Sequence, residues 1–204
     1  MQAKQVAGGA ALRVDFVGGT VGHRYRFGGG RGQALPKAAG FAKGNTPSIV
    51  DATAGLGRDA FLLASLGAAV TLIERSPKVH ELLADGLARA REAGPEFAEI
   101  VSRMTLLHGD ARELLPGLAP DVVLVDPMHP PRGNSALVKQ EMRALRAIVG
   151  DDPDAFEMMQ IALANARKRV VLKWPLRAET MPGLRSYSHQ IIGKSVRYDV
   201  FMLG

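Results

Sequence analysis

Several features that would point to particular protein classes are absent from this sequence. Its 204 residues include no cysteine, which excludes disulfide bonds and metal sites built on thiolates. The five histidines show no spacing typical of metal ligands, so no metal is expected. There is no apolar run approaching the roughly 18 residues of a membrane-spanning helix, and the N-terminus lacks the apolar core of a signal peptide. These absences predict a cytoplasmic protein without membrane contact.

Acidic residues are nearly missing from the first 46 residues, which hold seven lysines and arginines but one acid. Residues 47–126 carry a net charge of −5, whereas residues 127–204 carry +5. Basic flanks around an acidic middle suit a polyanionic partner such as a nucleic acid. The alternative is a generally basic surface that binds no partner.

The order of apolar and turn segments predicts an α/β fold in one compact unit. From Ser48 onward strands alternate with helices, which indicates a doubly wound, mostly parallel sheet. The expected parallel strands lie at about 49–52, 70–74, 104–108, 121–126 and 169–173. Two further strands, at about 188–192 and 197–202, form a hairpin, so one antiparallel strand should lie near the sheet edge.

Residues 1–46 are predicted to form a small basic extension of the main domain, which spans residues 47–204. Within this extension, segments 12–16 and 21–27 indicate a β-hairpin. Alternation in the second strand would place Arg24 and Arg26 on one face, where they could hold phosphates or simply face solvent.

A glycine-rich segment, residues 28–32, follows this predicted hairpin and contains Arg31. It lacks the Gly-Lys-Ser/Thr ending of a phosphate-binding P-loop, which argues against nucleoside triphosphate binding. Arg31 is nevertheless a candidate for contact with a polyanion, because it belongs to the basic flank.

The stretch IVDATAGLGRD, residues 49–59, is the centre of the functional prediction. An apolar strand ends in Asp51, and a turn with Gly55 and Gly57 leads into an apolar helix. Small residues let a ligand approach the backbone, and the free N–H groups at the helix start point towards it. The pattern resembles the first motif of S-adenosylmethionine-dependent methyltransferases. The same residues also fit G-x-G-x-x-A, the dinucleotide fingerprint, or a turn needed only for packing.

Two further acids lie where the next strands end. Glu74 comes 23 residues after Asp51, and an acid at that position can bind both ribose hydroxyls of a nucleoside cofactor. Asp110 follows the third strand. It is expected to accept a hydrogen bond from an adenine amino group, to cap the next helix, or to do both.

The segment Asp126-Pro127-Met128-His129 lies just past the buried fourth strand, where ligands bind in open α/β sheets. It resembles the Asp/Asn-Pro-Pro-Tyr/Phe motif of methyltransferases that act on exocyclic amines. In that motif the acid and the proline carbonyl accept hydrogen bonds from the amine, and the aromatic ring stacks on the flipped base. Met128 and His129 depart from the pattern, although His129 could still stack. An ordinary Asp-Pro turn is the alternative.

Taken in order, the segments VDFVGG, HRYRFGGGRG, DATAGLGRDAFLLASLG, ERSP, DPMHP, SALVKQEMR and RVVLKWP resemble the ribosomal RNA small subunit methyltransferase J family. The resemblance implies a class I methyltransferase fold and methylation of N2 of a guanosine in 16S ribosomal RNA, with S-adenosylmethionine as donor. It also implies a set of cofactor-binding residues: Arg58, Asp59, Glu74, Arg75, Asp110, Ala111 and Asp126.

Three basic residues, Lys139, Arg143 and Arg146, share one face of the helix predicted after this segment. They are candidates for contact with the RNA backbone, with a solvated face as the alternative. Other functions stay open at this point: an N6-adenine nucleic-acid methyltransferase, an NAD-dependent dehydrogenase, or an RNA-binding module without catalytic activity.

Overall fold

A seven-stranded sheet lies at the centre of the fold in the computed structural model of the protein. The structure describes residues 12–27, 30–42, 44–128, 136–150 and 152–204. For residue 20 and residues 136–142 it describes the backbone alone. The strand order is β3-β2-β1-β4-β5-β7-β6. The strands are β1 (Ile49–Asp51), β2 (Val70–Glu74), β3 (Met104–His108), β4 (Val122–Val125), β5 (Arg169–Pro175), β6 (His189–Ile192) and β7 (Val196–Met202). Strands β1 to β5 are parallel, and β7 runs antiparallel to both β5 and β6.

Helices cover both faces of the sheet. They are α1 (Gly19–Phe27), α2 (Ala34–Ala38), α3 (Arg58–Ser65), α4 (Pro77–Glu92), α5 (Pro95–Ser102), α6 (Ala111–Leu114), α7 (Ala136–Val149) and α8 (Ala155–Asn165). One hydrophobic cluster contains Ile49 of β1 and the buried side chains of α3, whereas the other contains Val50 of β1 and Met159 of α8. Neighbouring residues of one strand therefore enter different cores, as in a doubly wound fold. The predicted fold class, including the antiparallel strand near the edge, is confirmed.

The strand order creates a crevice at a defined place. Successive connections lead outward from β1 in one direction through β2 and β3, and in the other direction through β4 and β5. Strands β1 and β4 are therefore the point where the winding reverses, and ligands of open α/β sheets bind beyond the carboxyl ends of the strands at this point. The loop after β1 and the loop after β4 meet there.

The N-terminal β-hairpin prediction is wrong, because Gly19–Phe27 forms helix α1. Val21 is buried and Tyr25, four residues later, packs its ring against Phe61 and Phe97 at centroid distances of 6.2 Å each. These contacts follow helical spacing, so packing against α3 and α5 outweighs the alternation of aromatic and basic residues. Because helical residues two apart point in different directions, the arginines at positions 24 and 26 do not share a face.

Helix α4 begins with a capped first turn. The Ser76 hydroxyl accepts a hydrogen bond from Val79 N–H at 3.5 Å, and Pro77 is the first helical residue. Helix α5 was not predicted. It begins at Pro95 directly after Gly94, whose φ of +139° is readily available only to glycine. Among the described residues, no helix is long and apolar enough to cross a bilayer.

We expect Gly57→Ala to lower the free energy of unfolding by about 2–4 kcal/mol. Gly57 has a φ of +68°, and an added Cβ would lie 2.8 Å from Leu83 Cδ2 and 3.0 Å from Phe16 Cζ. Urea denaturation measures the change. Gly117→Ala is the matched control, because no atom lies within 4 Å of its added Cβ. Equal stability of the two variants would show that Gly57 is not required for packing.

Candidate active site

An open cleft lies at the carboxyl edge of the sheet, at the reversal of the winding. It encloses about 670 Å³ of non-atom space, part of which is open to solvent. Loops after β1, β2, β3 and β4 contribute to its walls, as do α7 and α8. The cleft is lined by both apolar and charged side chains, as sites for small organic ligands usually are.

Glu74, the last residue of β2, is buried and ties the first two loops together. Its Oε2 accepts a hydrogen bond from Gly55 N–H at 3.0 Å, and its Oε1 accepts one from Ser76 N–H at 2.8 Å. Burial raises the pKa of this carboxyl above its usual value, against the effect of these two hydrogen bonds. A carboxylate has about four lone-pair positions, so each oxygen can accept one further hydrogen bond from a ligand.

The two glycines of the first motif have different roles. Gly55 has a φ of +51° and lines the cleft, and the nearest atom to an added Cβ would be Leu145 Cδ2 at 3.7 Å. Gly57 does not line the cleft and packs tightly on the core. The alternative that the glycine turn serves only for packing therefore applies to Gly57. Gly55, in contrast, leaves its backbone accessible from the cleft.

Asp110 caps α6, which confirms one of its two predicted roles, that of a helix cap. Its Oδ1 accepts a hydrogen bond from Arg112 N–H at 2.9 Å, and its Oδ2 lies 2.7 Å from Arg112 Nη2. The hydrogen bonds from Arg112 lower the pKa of Asp110 although partial burial opposes this. Most of its accepting capacity is thus used within the protein, and the contact with an adenine amino group stays a prediction.

Ion pairs connect the walls of the cleft. Arg75 lies 2.7 Å from Asp154 Oδ2 and also binds Asp152, whereas Arg112 binds Glu157 and lies 3.4 Å from Asp154 Oδ2. Asp152 in turn accepts a hydrogen bond from the backbone N–H of the residue after Pro127, at 2.7 Å. The acidic residues around the start of α8 therefore hold the loops that follow β2, β3 and β4.

Asp126 follows β4 and is held from two sides. Its backbone N–H donates a hydrogen bond to Thr53 Oγ1 at 2.7 Å, and its Oδ2 lies 2.7 Å from Lys173 Nζ. The same ammonium lies 2.8 Å from Asp59 Oδ2, and Asp59 Oδ1 lies 2.7 Å from Arg24 Nη1. Four charges of alternating sign thus run from α1 to the loop after β4.

This row of charges keeps the Asp59 carboxyl group ionised. Burial opposes ionisation, but Lys173 and Arg24 outweigh it and lower the pKa of Asp59 to about 2. Asp51 is also buried, but among the described residues Lys173 lowers its pKa less than burial raises it. Its burial and the nearby charges of Asp59 and Asp126 raise the pKa of Asp51 to about 7.

Most predicted site residues lie together, but some do not line the cleft. Those that do are Gly55, Glu74, Arg75, Asp110, Ala111, Asp126, Pro127 and Met128. Those that do not are Asp51, Gly57, Arg58 and Asp59. Arg58 instead lines a smaller hollow between α1 and α3. Cofactor contacts by this second group stay predictions. His129 lies outside the described residues.

The basic residues predicted to meet RNA differ in their surroundings. Arg31 donates hydrogen bonds to Ala42 O and Leu66 O at 3.1 and 3.3 Å, and Arg24 is committed to Asp59. Arg26 and Arg143 are exposed, whereas Arg146 is half-buried. The backbone of Lys139 belongs to α7, and its side chain lies outside the described residues.

Four charged residues that were not assigned to the site from the sequence also contact its members or line its walls. Lys173 contacts Asp126, and Arg112, Asp152 and Asp154 organise the cleft. Lys173 lies in predicted strand five near its carboxyl end, so the rule that ligands bind at that edge could have found it. Asp152 and Asp154 resemble the acids found at the start of many helices, so their sequence context did not indicate a role in the site.

The similarity to known proteins extends over nearly the whole chain. A family model described as SAM-dependent methyltransferase matches residues 1–203. Ribosomal RNA small subunit methyltransferase J of Agrobacterium fabrum is 73% identical over 93% of this chain and 91% of its own length. The protein of the same name from Chromohalobacter salexigens is 54% identical over 95% of this chain and 77% of its own length.

A solved structure of a methyltransferase is also similar to this chain. The SAM-dependent methyltransferase from Neisseria gonorrhoeae matches with a TM-score of 0.68 and 35% identity, over 93% of this chain and 72% of that one. Together with the matched family model, this rejects the dehydrogenase interpretation of the glycine turn. The chain belongs to the ribosomal RNA small subunit methyltransferase J family of SAM-dependent methyltransferases.

Proposed function

We propose that this protein transfers the methyl group of S-adenosylmethionine to the exocyclic N2 of a guanosine in 16S ribosomal RNA. The observation that carries the proposal is the cleft itself, with Glu74 on one wall and Asp126-Pro127 on another. The names of its relatives support ribosomal RNA of the small subunit as substrate. Such a substrate also supports a cytoplasmic location.

The residues of the cleft fit the cofactor. Glu74 keeps accepting capacity for two ribose hydroxyls, and Gly55 leaves room for a ligand at the backbone. Arg75, Ala111 and the start of α6 are further contact candidates on the same side. When bound, S-adenosylmethionine supplies a methyl group on a positively charged sulfur, which is electrophilic enough to be attacked by a nitrogen.

The protein's contribution to the reaction is mainly positioning. The guanine amine is a weak nucleophile because its lone pair is delocalised into the ring. Asp126 and the carbonyl of Pro127 would accept hydrogen bonds from the amine and direct its lone pair. Ion pairing holds the Asp126 carboxylate in place, so little ordering is needed when the substrate arrives.

An adenine N6 would present the same kind of amine to Asp126-Pro127, so the base must be identified by experiment. The RNA partner is proposed to meet the exposed residues Arg26 and Arg143 together with Lys139. Arg24 and Arg31 are better explained as intramolecular contacts. The division into an extension, residues 1–46, and a methyltransferase domain, residues 47–204, stays a proposal as well.

Glu74→Ala should weaken S-adenosylmethionine binding by about ten- to a hundredfold, because hydrogen bonds to a charged group are lost. Isothermal titration calorimetry gives the dissociation constant, and circular dichroism checks the fold. Glu92→Ala, an exposed acid on α4, is the control and should bind normally. Unchanged binding by a folded Glu74→Ala protein would place the ribose elsewhere.

The wild-type protein should methylate small ribosomal subunits that lack the modification, and the product should be N2-methylguanosine. Radiolabelled methyl transfer followed by nucleoside mass spectrometry identifies the base. Asp126→Ala should lose at least about a hundredfold in turnover, because the amine is no longer oriented. Asp85→Ala, which changes an exposed acid on α4, is the control. An active Asp126→Ala enzyme, or label in N6-methyladenosine, would contradict the proposal.

Arg143→Glu should weaken binding to the small subunit and reduce the slope of log affinity against log salt by about 1, because one phosphate contact is lost. Cofactor binding should stay unchanged. Arg91→Glu is the charge-matched control, since Arg91 is exposed on α4. An equal effect of both substitutions would show that only overall charge matters, and loss of cofactor binding would show damage to the site.

A further inference from the structure

The ammonium of Lys173 lies between two carboxylates that come from different parts of the fold. Its Nζ is 2.7 Å from Asp126 Oδ2 and 2.8 Å from Asp59 Oδ2. The side chain of Lys173 is 21% exposed, and those of Asp59 and Asp126 are 14% and 39% exposed. The most exposed member is therefore Asp126, which faces the cleft, whereas Asp59 lies on the protected side.

Lys173 stays charged in this position. Burial disfavours its ammonium form, but the carboxylates of Asp126 and Asp59 outweigh that effect and raise the pKa of Lys173 well above its usual value. A lysine that holds its proton so firmly cannot accept one from an attacking amine. Its role in the site is therefore electrostatic.

The arrangement also limits the movement of the Asp126 carboxylate. Thr53 Oγ1 accepts the backbone N–H of Asp126, while Lys173 holds one of its carboxylate oxygens. Lys173 is itself held, because Asp59 binds it and Arg24 of α1 binds the other oxygen of Asp59 at 2.7 Å. Charged hydrogen bonds of this kind are short and directional.

We propose that Lys173 is a positioning residue for methyl transfer, which places a positive charge beside the Asp126 carboxylate and directs it towards the substrate amine. This inference rests on the proposed function. Lys173 acts through Asp126 and makes no contact with the reacting atoms. Asp59 and Arg24 extend the same support, so the N-terminal helix contributes to the geometry of the active site.

The test compares Lys173→Met with the wild type in steady-state methylation of small subunits across pH. We expect kcat to fall about ten- to a hundredfold, because the oriented acceptor is lost. The dissociation constant for S-adenosylmethionine should change less than about twofold, since the cofactor wall at Glu74 is unaffected. The acid limb of the pH–rate profile should move to higher pH, because Asp126 would be protonated more readily without its cation.

Three further variants make the outcome decisive. Lys173→Arg keeps the positive charge and should retain more activity than Lys173→Met, with the acid limb near its wild-type position. Lys168→Met removes an exposed lysine that pairs with Asp121 at 3.3 Å, and it should behave as wild type. Lys173→Gln replaces Lys173→Met if the latter does not fold, because glutamine lacks the charge but can donate hydrogen bonds. We expect the same fall in kcat and the same shift of the acid limb.

The results separate this inference from the function on which it rests. Folded Lys173→Met or Lys173→Gln with wild-type kcat and an unmoved acid limb would overturn the positioning role. Loss of S-adenosylmethionine binding in parallel with kcat would also overturn it, because Lys173 would then be needed for the cofactor wall. A wild-type protein that binds the cofactor but does not methylate N2 of guanine would instead overturn the proposed function.

Discussion

One partly buried ammonium, on Lys173, joins parts of the chain that are distant in sequence. It binds Asp59 of α3 and Asp126 after β4, and Arg24 of α1 completes the row of charges. Buried ionic groups are tolerated only when they are paired, and removal of one partner from such a pair typically costs about 3–5 kcal/mol. The N-terminal helix, the central sheet and the candidate catalytic loop therefore depend on the same contacts.

The sheet explains why acids far apart in sequence meet at one site. In a parallel sheet the carboxyl ends of neighbouring strands share an edge, so Glu74 and Asp126 reach the same cleft from β2 and β4. This rule made the main fold and the core of the site predictable. Local chemistry also predicts that Asp110 caps the helix that follows it, and the structure confirms this.

Other features depend on contacts that no local pattern encodes. The alternation around Tyr25 favours a strand, yet burial of Val21 and ring contacts with Phe61 select a helix. Likewise, the family resemblance implies that Asp59, next to the glycine turn, is a cofactor ligand. Only the tertiary fold shows that this carboxylate is used by Lys173, 114 positions away.

The most direct test of this account is the structure of the protein bound to S-adenosylhomocysteine, the product of methyl donation. The account predicts that the ribose hydroxyls lie within hydrogen-bonding distance of Glu74 and that the sulfur faces Asp126 and Pro127, with Lys173 still bound to Asp126. A ligand seated outside the cleft, or one whose sulfur points away from Asp126, would contradict it.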